Sequence, residues 1–255
     1  MVDAHTHLDK YGDALPRALG QIRERSILTL AVSMDPLSYR ETRRIAQSEP
    51  LILPSFGIHP WEAPRFAGEL KSLDPFLEEA PMLGEIGLDH FFVKDKAEYP
   101  AQEAVFKYFL GAAERRQRVI NVHTTGAEAE VLECLEGRDL PAVIIHWYSG
   151  PLELLSPLLD LGAFFTVGVE VLRSDHIREV AGLIPLERLL TETDNPGGWQ
   201  WMEGEPGFPD LLDSVETCLA EVHGVERNVL SAQVERNMAA LLERGGIDPP
   251  WDFQP

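Results

Sequence analysis

Eight short apolar runs, each followed by a stretch of helical spacing, constrain this chain more than any other feature. The runs fall at residues 2–7, 27–32, 51–57, 82–88, 119–123, 142–146, 163–167 and 188–193. Helical spacing occupies 13–25, 36–48, 66–79, 99–116, 127–135, 152–160 and 176–183, with two further stretches at 210–223 and 227–244. Strands of a parallel sheet are covered by helices, so they read as continuous runs of Val, Ile and Leu rather than as alternation. Strict strand–helix alternation therefore predicts a parallel sheet, and 255 residues is the size of a closed barrel of eight such units. The pattern predicts an α/β fold, a (β/α)8 TIM barrel with an additional C-terminal helix. Without a dividing linker it reads as one domain over 1–246, followed by a proline-rich tail over 247–255.

Charge narrows the partners. With 42 acidic and 22 basic residues the chain carries a formal charge of −20, which repels a polyanion over most of the surface. This argues against a broad nonspecific nucleic-acid face but does not exclude a nucleic-acid substrate at a local metal-rich pocket, where divalent cations invert the field. Cys134 and Cys218 stand far apart without ligand-like neighbours, so neither a disulfide framework nor a cysteine metal site is expected. No run of 18 apolar residues occurs and the first strand follows Met1 directly, so the expectation is a cytoplasmic protein with no membrane association and no obligate protein partner.

Barrel enzymes carry their chemistry at the C-terminal ends of the strands. Those ends hold His5 and His7, His59, Glu85, His123, His146 and Asp194. His5 and His7, two apart on a strand, project to one face. Any one of these histidines alone is as readily a core residue, and Asp194 before Asn195-Pro196 is as readily a turn former. Their concentration is what argues for a site: five of the eight histidines fall at strand ends facing one mouth. Glu85, between Gly84 and Gly87, is a carboxylate inside an apolar strand, costly unless paired or metal-bound. Four imidazoles (His5, His7, His123, His146) and two carboxylates (Glu85, Asp194) suit two adjacent divalent ions, with Glu85 as the bridge. The nitrogen-rich set fits zinc, manganese, nickel or iron better than magnesium, which can still support turnover.

These stretches resemble a known family. Asp3-Ala4-His5-Thr6-His7-Leu8, Gly57-Ile58-His59-Pro60, Gly84-Glu85-Ile86-Gly87-Leu88-Asp89, His146 with Ser149-Gly150, and Thr191-Glu192-Thr193-Asp194-Asn195-Pro196 look like the TatD metal-dependent hydrolases, in family order from residue 1 to about 240. The resemblance implies deoxyribonuclease chemistry, 3′–5′ exonuclease-like, on DNA ends or single strands. It implies one ion on His5, His7, Glu85 and Asp194, a second on Glu85, His123 and His146, and His59 near the substrate. Glu85 and Asp194 are then the catalytic carboxylates, with Asp194 taking the proton of the nucleophilic water. The chain departs from the family at Thr125, where an arginine is usual, and at His90-Phe91-Phe92, where a tyrosine or asparagine and then an arginine often stand. Both changes remove groups suited to phosphate oxygens. Trp199 and Trp201, on a long loop after the eighth strand, are candidates for stacking nucleobases, as is Trp147-Tyr148. The competing readings are a barrel hydrolase of a small amide, lactone or phosphoester, and a non-catalytic, metal-stabilised partner protein.

Overall fold

A computed structural model describes residues 1–248. Its eight strands are β1 (Val2–Thr6), β2 (Leu28–Ala31), β3 (Ile52–Phe56), β4 (Met82–Gly87), β5 (Ile120–His123), β6 (Val143–Ile145), β7 (Phe164–Val167) and β8 (Leu189–Thr191). Every neighbouring pair is parallel and the order in the sheet is the order in the chain. Sequential parallel order with a helix after each strand is the TIM barrel expected.

The seam between β8 and β1 closes largely through bonds from the residues that extend both strands. The Asp194 N–H donates to the His5 carbonyl at 2.9 Å and the His7 N–H to the Asn195 carbonyl at 2.8 Å. Asp3, buried beneath them, accepts from the Thr193 N–H at 2.9 Å and the Thr193 hydroxyl at 2.7 Å. The helix Arg227–Arg244 is the additional C-terminal helix, and it braces this seam from outside. Its Asn237 donates to the carbonyls of Leu186 and Leu189, capping backbone groups that lie just before and at the start of β8.

Around β3 the outer core is aromatic. Phe56 packs against Tyr39, Phe76 and Phe109 at 5.1–5.5 Å, joining three helices to one strand.

Two expectations fail locally. Residues 66–79 do not form one helix but Ala63–Phe66, a 3-10 turn Leu70–Leu73 and Asp74–Glu79. Gly68 weakens the middle and Pro75, with no N–H to give, can only open a new helix. The long loop after β8 contains a helix, Gly197–Glu203, hidden in the sequence by its Pro196-Gly197-Gly198 opening. Of the tail 247–255, residues 249–255 lie outside the described residues, while Ile247 packs on the core.

Candidate metal centre

The glycines around Glu85 let three strands approach it. A Cβ on Gly57 would sit 2.1 Å from the Glu85 carbonyl oxygen, and one on Gly87, at φ +145°, 2.0 Å from that of His123. Glu85 is consequently held in the middle of the barrel mouth, 2% exposed. His7 lies one residue past β1, yet its ring meets that of His5 edge to face at 5.3 Å. Asp194 reaches inward from a left-handed turn at φ +51°, a conformation that Asp tolerates better than most residues.

The two oxygens of Glu85 face two groups of histidines. On one side Glu85 Oε2 and Asp194 Oδ1 lie 3.6 and 3.5 Å from His5 Nε2, and 3.4 and 3.3 Å from His7 Nε2. Ligands about 2.0–2.1 Å from a shared tetrahedral ion are separated by about 3.3–3.4 Å, so these four atoms are spaced as a ligand shell. His5 Nε2 and Glu85 Oε2 are buried without a hydrogen-bond partner, the state expected of atoms meant for a cation. On the other side Glu85 Oε1 lies 2.8 Å from His123 Nδ1, 3.3 Å from His59 Nε2 and 3.4 Å from His146 Nε2. All six residues expected as ligands are thereby brought together.

Outer partners settle which ring nitrogens are free. Asn121 donates through Nδ2 to the Ala4 carbonyl, so its Oδ1 accepts from His5 Nδ1–H at 2.9 Å and leaves Nε2 bare. His146 Nδ1 pairs with Glu192 Oε2 at 3.0 Å, and Thr166 donates to the same oxygen. Burial pushes the Glu192 carboxyl up to about 8 and holds His146 well below its ordinary value, so without metal both groups favour their neutral forms near neutrality. His123 Nε2 meets Asp89 Oδ2 at 3.2 Å. His59 is the exception. Its Nδ1 accepts the Trp61 N–H at 3.2 Å, so its proton is on Nε2, aimed at Glu85. Although its ring is near enough to join a ligand group with Glu85 and His123, the proton makes it a donor to Glu85 or to substrate. Asn121, Glu192 and Asp89 were not anticipated as site residues. Each is a polar group buried near a strand end, and Asn121 shares a strand face with His123 two residues on.

Above the donors opens a cleft of about 960 Å³. Trp61, Phe91, Phe92, Trp147 and Trp201 line it, four of them 45–63% exposed, and Thr125 lies on its wall. Among the described residues lining it, Lys10 is the only lysine or arginine. Trp199 is not in the cleft, contrary to the stacking role expected of it. On a helix, residues two apart point about 200° away from each other, so Trp201 faces the mouth while Trp199 packs on the core beneath the Arg173 guanidinium. Tyr148 is likewise turned inward, its hydroxyl donating to the Pro151 carbonyl.

Comparison with known proteins fits this geometry. The family profile described as "TatD related DNase" matches residues 2–243. The chain belongs to the TatD family. Curated TatD relatives include an uncharacterized metal-dependent hydrolase TatD of Mycobacterium tuberculosis, 27% identical over 77% of this chain and 80% of the relative. The uncharacterized metal-dependent hydrolase YcfH of Escherichia coli K12 is 26% identical over 94% and 95%. Among solved structures, the TatD homolog YJJV of E. coli K12 superposes with a TM-score of 0.86 at 22% identity, covering 94% of this chain and 97% of that one. A TatD family protein of Entamoeba histolytica gives 0.79 at 15%, over 94% and 97%. The chain is thus a TatD-family metal-dependent hydrolase with the barrel of its relatives.

Proposed function

We propose that this TatD-family hydrolase is a deoxyribonuclease acting on single-stranded or frayed DNA ends with two divalent ions. The observation that carries the reading is the divided Glu85 carboxylate, one oxygen toward His5, His7 and Asp194 and the other toward His123 and His146. His5, His7, Glu85 and Asp194 would hold one ion, and Glu85, His123 and His146 the second; zinc, manganese, nickel and iron suit these donors, and magnesium less well. When bound, such ions lower the pKa of water and stabilise charge on a phosphoryl oxygen.

The chain supplies the rest. Asp194, at 24% the most exposed of the six side chains, is assigned the proton of the attacking water. Water oxygen bonds to phosphorus, the bond from phosphorus to the leaving nucleoside oxygen breaks, and the proton held at Asp194 passes to that oxygen. His59 Nε2–H keeps Glu85 oriented or donates to a phosphate oxygen, and Lys10 offers one cation at the rim. Trp201, Trp147, Phe92 and Trp61 present aromatic faces on which unpaired bases stack. A mouth with one cation offers no track for a duplex backbone, which favours strand ends. No helix among the described residues is long and apolar enough to cross a membrane, and the two free cysteines suit a reducing compartment, so we assign the activity to the cytoplasm.

The test is incubation of metal-loaded protein with labelled single-stranded, duplex and frayed DNA, with and without chelator. Chelator-sensitive release of nucleotides from strand ends is expected. A second reading is favoured by the poverty of cations in an aromatic cleft: hydrolysis of a small ester, lactone or amide with a flat apolar group. Intact DNA alongside chelator-sensitive cleavage of such a compound would select it.

A further inference from the structure

Asp89 is fully buried at the end of β4 and makes every contact a carboxylate can. Its Oδ1 accepts the backbone N–H groups of Phe91 at 2.9 Å and Phe92 at 2.7 Å. Its Oδ2 accepts the Trp61 indole N–H at 2.7 Å and faces His123 Nε2 at 3.2 Å. Gln102 clamps the backbone on both sides, accepting the Asp89 N–H at 2.9 Å and donating to its carbonyl at 3.1 Å. Three of the four donors on this carboxylate come from the aromatic rim of the cleft, Trp61, Phe91 and Phe92. The fourth is the far side of a ring whose Nδ1 points at Glu85.

We propose that Asp89 is a positioning residue: a carboxylate anchored by the cleft rim that holds a proton of His123 on Nε2, so that Nδ1 is the nitrogen that yields its place to the second ion. A fixed acceptor behind a ligating imidazole sets both its tautomer and its rotation. The sharing of the carboxylate makes the rim that would seat substrate and the ring that would seat an ion parts of one hydrogen-bonded unit. An amide in its place cannot serve both ends. If the oxygen of Asn stays with the two backbone donors, its NH2 meets the Trp61 N–H and forces His123 Nε2 to become the acceptor, which moves the proton to Nδ1. The proposal rests on the two-ion reading above and is independent of the substrate.

Titration of the full chain with Mn²⁺ alone, followed by calorimetry, tests it. The unmodified protein is expected to take up two ions. Asp89→Asn should keep the first and bind the second about 10–100-fold more weakly. Phe92→Ala, which strips the rim side chain but keeps the N–H on Asp89, should bind both as the unmodified protein does. Equal uptake by Asp89→Asn, or the same loss in Phe92→Ala, overturns the role of Asp89. Failure of the unmodified protein to bind a second ion overturns the two-ion reading and this proposal together. Should Asp89→Asn not fold, histidine ring ¹⁵N spectra of the zinc-loaded unmodified protein decide it. A slowly exchanging Nε2 proton on His123 with zinc on Nδ1 is expected, and the reverse tautomer rejects the proposal.

Discussion

The backbone N–H of Asp194 donates to the carbonyl oxygen of His5 at 2.9 Å, so one of the bonds that close the barrel joins two residues of the candidate metal centre. Asp3 underlies the same junction, satisfying two donors of Thr193. Asp3→Ala leaves both donors buried without an acceptor, at about 1–3 kcal/mol each. It should therefore lower the thermal midpoint and, at the same time, weaken binding of the ion proposed for His5, His7, Glu85 and Asp194. A variant that loses stability with unchanged ion affinity would separate seam from site and refute the link.

Glu85 is the carboxylate whose two oxygens face the two histidine groups. Glu85→Ala should abolish binding of both ions while circular dichroism still reports a folded barrel. His146 stacks on the His5 ring at 3.6 Å, but its Nε2 faces only Glu85 Oε1, so His146→Ala should remove a single equivalent. Metal content measured on the purified variants distinguishes a bridge from two independent sites.

Protons compete with the ions. Burial would lower His7, but hydrogen bonds and charge from Asp194 and Glu85 override it and push the ring up to about 10. Burial is likewise overridden for His123, which Asp89 and Glu85 push up to about 9. Without metal both rings are therefore charged at pH 7. Their contribution to stability is complete below the ordinary histidine value of 6.5 and is lost as pH rises through about 9 to 10. Ion uptake must expel these protons, so affinity should climb with pH across the neutral range. Calorimetry in buffers of different ionisation enthalpy should register the release, and a buffer-independent heat would contradict it.

The two tryptophans of the helix Gly197–Glu203 should behave differently. Trp201→Ala should weaken single-strand binding by about 1–3 kcal/mol if bases stack there. Trp199→Ala should lower the thermal midpoint and leave binding alone, because its ring is packed under Arg173. Fluorescence anisotropy with a labelled oligonucleotide, set beside a melting curve, reads both.

Thr125 lines a cleft with one lysine, so few phosphates are neutralised on binding. Affinity for oligonucleotides should fall only gently with salt, with a logarithmic slope of about −0.7 for one contact. Thr125→Arg should steepen that slope and lower KM roughly fivefold, the equivalent of about 1 kcal/mol for one added hydrogen bond. A variant with unchanged salt dependence would show that position 125 does not meet phosphate.

The convergence of the six expected ligands could be read without coordinates because a parallel barrel fixes where strand ends point, and a carboxylate such as Glu85 in an apolar run is costly unless paired or metal-bound. What sits behind them was harder. Asn121 shares a strand face with His123 yet serves His5, across 116 residues of chain. Periodicity told that it points inward but not toward which ring. Trp199 was misjudged because Pro196-Gly197-Gly198 reads as loop, and only the helix that follows separates it from Trp201. The tautomer of His59 depends on one backbone N–H and leaves no trace in sequence.

The seam also sets a timetable. The bonds that complete it span 189 and 190 residues of chain, so the first strand leaves the ribosome long before its partner exists. A nascent chain ending before residue 190 carries His5, His7, Glu85, His123 and His146 but has neither Asp194 nor a closed edge. Contacts of such separation are slow to form, and an open edge strand invites mispairing in the interval. Arrival of the last strand therefore does two things at once: it shuts the edge and brings Asp194 to the other five side chains. The set of His5, His7, Glu85 and Asp194 is thereby complete only in chains whose synthesis has passed the point of misassembly.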